Sequence, residues 1–118
     1  MSEDQQPSED QRRWGDVGTT LLFENDRVRV WELRLEPGER SDLHHHENDY
    51  VMVQLAGDQV AAEFEADSDD AFGGAQFPDR TISGPVSPGM VVWGSAGGKE
   101  TAVNVGTETF REIVVELK

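Results

Sequence analysis

From Thr19 onward, glycine, proline, asparagine and aspartate recur about every eight to twelve residues, and the runs between them are short. That spacing leaves little room for an amphipathic helix, and no window shows a helical period. It fits a sandwich or small barrel of about eight or nine short strands. The expected strands are 19–23, 27–36, 50–56, 58–65, 77–82, 89–93, 100–105 and 110–117. In 27–36, Val28 and Val30 share one parity, and Leu33 and Leu35 the other, with Trp31 at the change. A bulge there, or a strand apolar on both faces, explains the switch. Gly57-Asp58 reads as a hairpin turn joining 50–56 to 58–65, and 83–88, with Gly84, Pro85 and Pro88, reads as a turn. The acidic loop 66–76 carries Asp67, Asp69 and Asp70 without the ligand spacing of a calcium loop, and reads as solvated.

Residues 1–16 lack apolar periodicity and form an expected flexible acidic arm, in which Trp14 is the exception. Residues 17–118 then make one domain. The chain has 24 acidic residues against 10 basic ones, a formal net charge of -14, which disfavours nucleic acid and anionic membrane as partners. Such a surface suits a very salty cytoplasm, where ions screen self-repulsion; a GC-rich genome yields the same composition. No apolar run is long enough to span a membrane, and the polar start is unlike a secretory signal, so the expected location is cytoplasmic. With no cysteine, any metal must rest on nitrogen and oxygen.

The chemistry concentrates in 38–57, which holds all three histidines and the only tyrosine. On an extended chain His44, His46, Tyr50, Met52 and Gln54 share one face. Val51, Val53 and Leu55 share the other, with His45, and that face is expected to pack against something. The first face mixes imidazole, phenol, thioether and amide without lysine or acid, which suits a ligand pocket. His44 and His46, one residue apart on a strand, can reach one ion. A polar histidine-rich loop is the plainer reading.

These residues resemble the cupin family. Gly38, five residues, His44-x-His46, three residues, Tyr50, six residues and Gly57 follow its first motif, with Tyr50 in the place of a glutamate. Ser95-x-Gly97, two residues, Glu100, three residues and Asn104 follow its second, with Ser95 replacing a proline and Glu100 a histidine. The likeness covers about 19–118 and implies an all-β cupin fold, a double-stranded β-helix or small jelly-roll barrel. DYVMVQLAG and the ending NVGTETFREIVVELK look most like small cupins of beta-alanine degradation. The resemblance implies a divalent metal (Fe, Mn, Ni or Zn) on His44, His46 and Glu100, which together have the composition of a 2-His-1-carboxylate facial triad. Tyr50, Met52 and Gln54 are the expected small-molecule contacts; Tyr50 could also ligate, and filling the barrel is its plainest role, as packing is for Met52 and Gln54. Dioxygenation is the preferred reaction, with decarboxylation, isomerisation and lyase chemistry behind it. The alternative is a degenerate, metal-free cupin, a binding module or dimeric scaffold. A homodimer is expected, with Trp31, Val51 and Val53 as candidates for packing between sheets or subunits.

Overall fold

The computed structural model describes residues 12–70 and 78–118. Among the described residues, nine strands form two antiparallel sheets: β1 (Thr20–Glu24), β2 (Val28–Leu35), β3 (His44–His45), β4 (Tyr50–Ala56), β5 (Gln59–Phe64), β6 (Thr81–Pro85), β7 (Val91–Gly94), β8 (Lys99–Asn104) and β9 (Phe110–Leu117). One sheet has the order β1-β2-β9-β4-β7 and the other β3-β8-β5-β6. The described residues contain no α-helix, and the expected all-β two-sheet architecture is what forms.

From β2 onward, the chain repeatedly changes sheets, and this corrects two local readings. Gly57-Asp58 does not close a hairpin: β4 pairs with β9 and β7, whereas β5 pairs with β6 and β8. Gly57 has φ 124 and crosses between the sheets, where a Cβ would crowd Phe110. Asp58 then accepts backbone N–H bonds from Thr107 and Glu108, which ties this crossover to the β8–β9 turn. The segment 83–88 is not all turn either. β6 runs through Ser83 and Gly84 to Pro85, on the edge of its sheet, where a proline is tolerated. Of the strand expected at 77–82, residue 77 lies outside the described residues and Pro78–Arg80 is a 3-10 turn.

In the five-stranded sheet, parity decides what is inside. Along β9, Phe110, Glu112, Val114 and Glu116 are buried, while Arg111, Ile113, Val115 and Leu117 are half-buried. On β2, Trp31, Leu33 and Leu35 face inward and Val30 outward, so this strand is apolar on both faces. The irregularity near Trp31 belongs to its partner β1, between Leu21 and Phe23. Trp31 packs with Val17, Tyr50 and Val114, while Leu33, Leu35 and Phe110 form a second cluster. Asn104, the last residue of the second motif, is buried and fully used. Its Nδ2 donates to the carbonyls of Leu35 and Glu108, and its Oδ1 accepts from Gly106.

The valine face of β4 proves to be the outside of the sheet. Val51 and Val53 are half-buried and Leu55 is exposed, whereas Tyr50 and Gln54 are buried. The mixed polar face is therefore the interior one, and the uniformly apolar face has no second layer among the described residues.

The first eleven residues of the expected N-terminal arm lie outside the described residues. Arg12 binds Asp67 through two N–H bonds of 2.8 and 2.7 Å and stacks over Trp14. Gly15 N donates to the Leu43 carbonyl. Asp67 also takes Lys99 Nζ at 2.9 Å, so it serves ion pairs within the chain.

Candidate metal centre

His44 and His46 do not share a strand with Tyr50. His44 lies on β3, opposite Glu100 of β8. His46 extends that edge, donating its N–H to Gly98 O and accepting from Gly97 N. The chain then crosses to the other sheet over Glu47-Asn48-Asp49. Asp49 pins the crossing, with its Oδ1 accepting from Ala96 N and its carbonyl from Leu117 N. The crossing brings the rings of His46 and Tyr50 face to face, 3.8 Å between centroids and 13° apart. His45 points away and packs near Trp14.

The strand pairing and this crossing bring His44, His46 and Glu100 together. All three are buried, and a ligand atom from each lies within 4.8 Å of the others. His46 Nε2 is 3.0 Å from Glu100 Oε1. The rings of His44 and His46 meet edge to face. His44 Nδ1 donates to the Asp42 carbonyl at 2.8 Å, which leaves Nε2 with its lone pair free. Burial, reinforced by the neighbouring His46, pushes the His44 imidazolium below its ordinary range, against an opposite pull from Glu100. The ring therefore stands in the neutral form that a metal requires.

These residues fit a first-row divalent ion. Bonds of about 2.0–2.2 Å need ligand atoms roughly 3–3.5 Å apart. The His46–Glu100 spacing already meets this, and all three ligand atoms lie within 4.8 Å of one another. His46 Nδ1 is buried without a hydrogen-bond partner, so among the described residues this ring is held by the Tyr50 stack and not by a hydrogen bond at Nδ1. Two imidazoles and one carboxylate on one side of an ion leave its other positions open.

Tyr50 explains how two of the motif departures, its own and Glu100, belong together. Its hydroxyl donates to Glu100 Oε1 across a long 3.4 Å. Thus the tyrosine standing where the first motif has a glutamate reaches the glutamate standing where the second has a histidine. Burial, then the charge of Glu100 and this hydrogen bond, push the phenol well above its ordinary pKa. Tyr50 is a neutral donor that orients Glu100. It is fully buried behind His46 and is not part of the cavity wall.

That wall encloses about 340 Å³ between the sheets. Met52 and Gln54 line it, together with His44, His46 and Glu100. Gln54 is anchored: its Oε1 accepts from Ser87 N at 2.9 Å. Most of the remaining wall is apolar, as Val60, Ala62, Val92 and Ala102 illustrate. Glu112 also lines the cavity, and the sequence reading missed it. The signal was available, since Glu112 shares parity with Phe110 and Val114. It was masked because the opposite parity, Ile113 and Val115, is just as apolar.

Neither a protein-family model nor a curated protein sequence matches this chain. Solved structures do. A cupin domain from Bordetella pertussis is 23% identical, with TM-score 0.68 over 91% of this chain and 97% of that one. A cupin superfamily protein from Desulfitobacterium hafniense is 19% identical, with TM-score 0.59 over 90% and 81%. A cupin superfamily sugar phosphate isomerase from Silicibacter pomeroyi is 22% identical, with TM-score 0.53; 79% of this chain covers 52% of that one. At these identities the likeness establishes the fold, and the fold is that of the cupins.

Proposed function

We propose that this chain is a cupin-superfamily protein that holds a divalent metal on His44, His46 and Glu100 and acts on a small oxygen-bearing metabolite, preferably as a dioxygenase. The observation that carries this reading is the convergence of three buried ligand atoms on the wall of a largely apolar cavity. Iron, manganese, nickel or zinc bound there would supply Lewis acidity and, if redox-active, oxygen activation. The chain's own residues would do the rest. The Asp42 carbonyl fixes the tautomer of His44, Tyr50 orients the Glu100 carboxylate, and the apolar wall around Met52 and Val92 excludes water. The narrower likeness to cupins of beta-alanine degradation belongs to this reading and rests on the 49–57 and 104–118 segments alone.

The test is metal content after untagged purification and reloading. The parent is expected to hold one divalent ion per chain, and His46→Ala and Glu100→Ala to weaken it by at least about a hundredfold. A folded parent that takes up no metal would overturn the reading; loss in the histidine variant alone would remove Glu100 from the site. The second reading is a metal-free binding module or dimeric scaffold. The 3.0 Å His46–Glu100 contact favours it, because these two groups satisfy each other without an ion.

The partner we propose is a second copy of this chain. On the outer face of the five-stranded sheet, the registers align Phe23, Val30, Val115, Val51 and Trp93 in one row. Ile113, Val53 and Val91 align beside it. Phe23 is 55% exposed and Trp93 52%, an unusual apolar stripe on a chain of net charge -14. Sedimentation is expected to show a dimer. Trp93→Glu is expected to weaken it by about 2–4 kcal/mol, the cost of removing an interface anchor. A monomeric parent at micromolar concentration would remove the dimer.

A further inference from the structure

We infer that Glu112 is a ligand-recognition group, and that it selects a small molecule carrying a cationic amine. The inference rests on the small-molecule part of the proposed function and not on the metal.

Two acids of β9 are buried, and they differ in one respect. Glu116 Oε1 accepts the indole N–H of Trp31 at 2.7 Å and lies 3.6 Å from Arg29, so its burial is compensated within the fold. Glu112 is only 6% exposed and faces the cavity, yet it has no hydrogen bond or ion pair among the described residues. A carboxyl buried against a mostly apolar cavity is costly to ionise, and folds ordinarily give such groups a partner. Leu33 and Gln54 flank it on the neighbouring strands. Leu33 offers nothing polar, and Gln54, whose Oε1 accepts the Ser87 N–H, makes no hydrogen bond to Glu112 among the described residues.

The sign of the missing partner follows from the wall. No lysine or arginine lines the cavity among the described residues. Its other titratable groups are His44, His46 and Glu100. Burial, with a further push from the Glu100 charge, raises the Glu112 carboxyl to about 8. Both effects oppose a second negative charge and are relieved by a positive one. An ammonium group would pair with the carboxylate and place its alkyl portion against Val60, Ala62 and Val92. A carboxylate or phosphate would meet Glu112 with nothing to offset the repulsion. A neutral alcohol would gain a hydrogen bond and no charge pairing. When the metal trio is filled, it would bind a different part of the same molecule, since Glu112 is not one of its ligands.

The probes are n-butylammonium, 1-butanol and butyrate, titrated into the metal-free protein at pH 8.5 and followed by NMR shifts. The parent is expected to bind n-butylammonium at least about tenfold more tightly than 1-butanol, and butyrate least. Glu112→Gln is expected to remove the preference for the cation while leaving 1-butanol binding in place. Glu100→Gln is expected to keep the preference. The preference should grow as pH rises through about 8. Equal binding of the amine and the alcohol by the parent overturns the inference. So does a preference that survives in Glu112→Gln but vanishes in Glu100→Gln, since the amine would then sit at the metal trio. The metal reading fails separately: a parent that takes up no metal leaves these titrations unchanged, and Glu112→Gln is expected to load metal as the parent does.

Discussion

Glu112→Gln is expected to stabilise the ligand-free protein by about 3 kcal/mol at pH 7, and to raise its melting temperature by roughly 10 °C. The carboxyl has an ordinary pKa of 4.5 and is pushed up to about 8 in the fold, by burial first and the Glu100 charge second. The folded state therefore holds the proton more tightly than the unfolded chain does. Stability from this group is fully present below 4.5 and is lost as pH rises towards 8. At about 1.4 kcal/mol per pH unit the full loss is up to about 5 kcal/mol, of which about 3 is felt at pH 7. Glutamine has nearly the shape of the protonated acid and carries no charge, so it keeps the contacts without the penalty. Urea denaturation at pH 4, 6 and 8 checks this. The two proteins should be about equal at pH 4 and diverge steadily above it. His44 contributes the opposite slope, because its lowered pKa makes stability fall as pH drops below 6.5, but both proteins share that slope and the difference cancels it. Equal stability of the two at pH 8 would mean that Glu112 is solvated or paired.

A carboxyl that weakens the fold at neutral pH, where an isosteric amide would not, is easiest to understand as a group kept for a ligand. A bound amine would change the sign of its contribution. The ionised form would then be the stabilised one, and the parent should gain more from n-butylammonium than Glu112→Gln does.

How much of this could be read from the sequence depended on how local each feature is. β4 and β9 were legible to the residue, because their alternation is unbroken and their ends are marked by Asp49, Gly57 and Thr109. The metal-ligand candidates were legible because motif spacing survives where three of the motif residues, at Tyr50, Ser95 and Glu100, do not. The hairpin at Gly57-Asp58 was misread for a physical reason. A glycine–aspartate pair signals a reversal, but not whether the next strand pairs with the last one or crosses to the facing sheet. Here the deciding contacts, from Asp58 to Thr107 and Glu108, come from residues far along the chain. On β4 the mixed face was read rightly as a pocket, but the other face was expected to pack against something and is instead the outside of the sheet. Val51, Val53 and Leu55 are the more apolar set, and burial usually follows apolarity. In this fold the inner side holds the cavity, so polar residues face in and the apolar ones cover the outside. Tyr50 had three open readings until its ring was seen against His46 and its hydroxyl against Glu100.

Gly94→Ala is expected to cost about 3 kcal/mol or more and to disorganise the metal centre from behind, although residue 94 touches none of its proposed ligands among the described contacts. Gly94 pairs directly with Tyr50 between β7 and β4, and a Cβ at this position would overlap the Tyr50 ring. The ring cannot retreat easily. It is fully buried, one face is stacked on His46, and Trp31, Val17 and Val114 close the cluster around it. Displacing it would move the hydroxyl from Glu100 and the ring plane from His46, which are the two contacts through which Tyr50 orients the trio. A double-mutant cycle with Tyr50→Ala separates this from a general effect on β7. Without the ring the added methyl meets open space, so Gly94→Ala should cost little in the Tyr50→Ala background, giving a coupling of about 2 kcal/mol or more. Additive losses would instead place the cost of the methyl in the strand itself. Metal affinity gives the second readout. It should fall in Gly94→Ala and in Tyr50→Ala alike, and fall no further in the double variant, because both changes act by releasing the same support from Glu100 and His46.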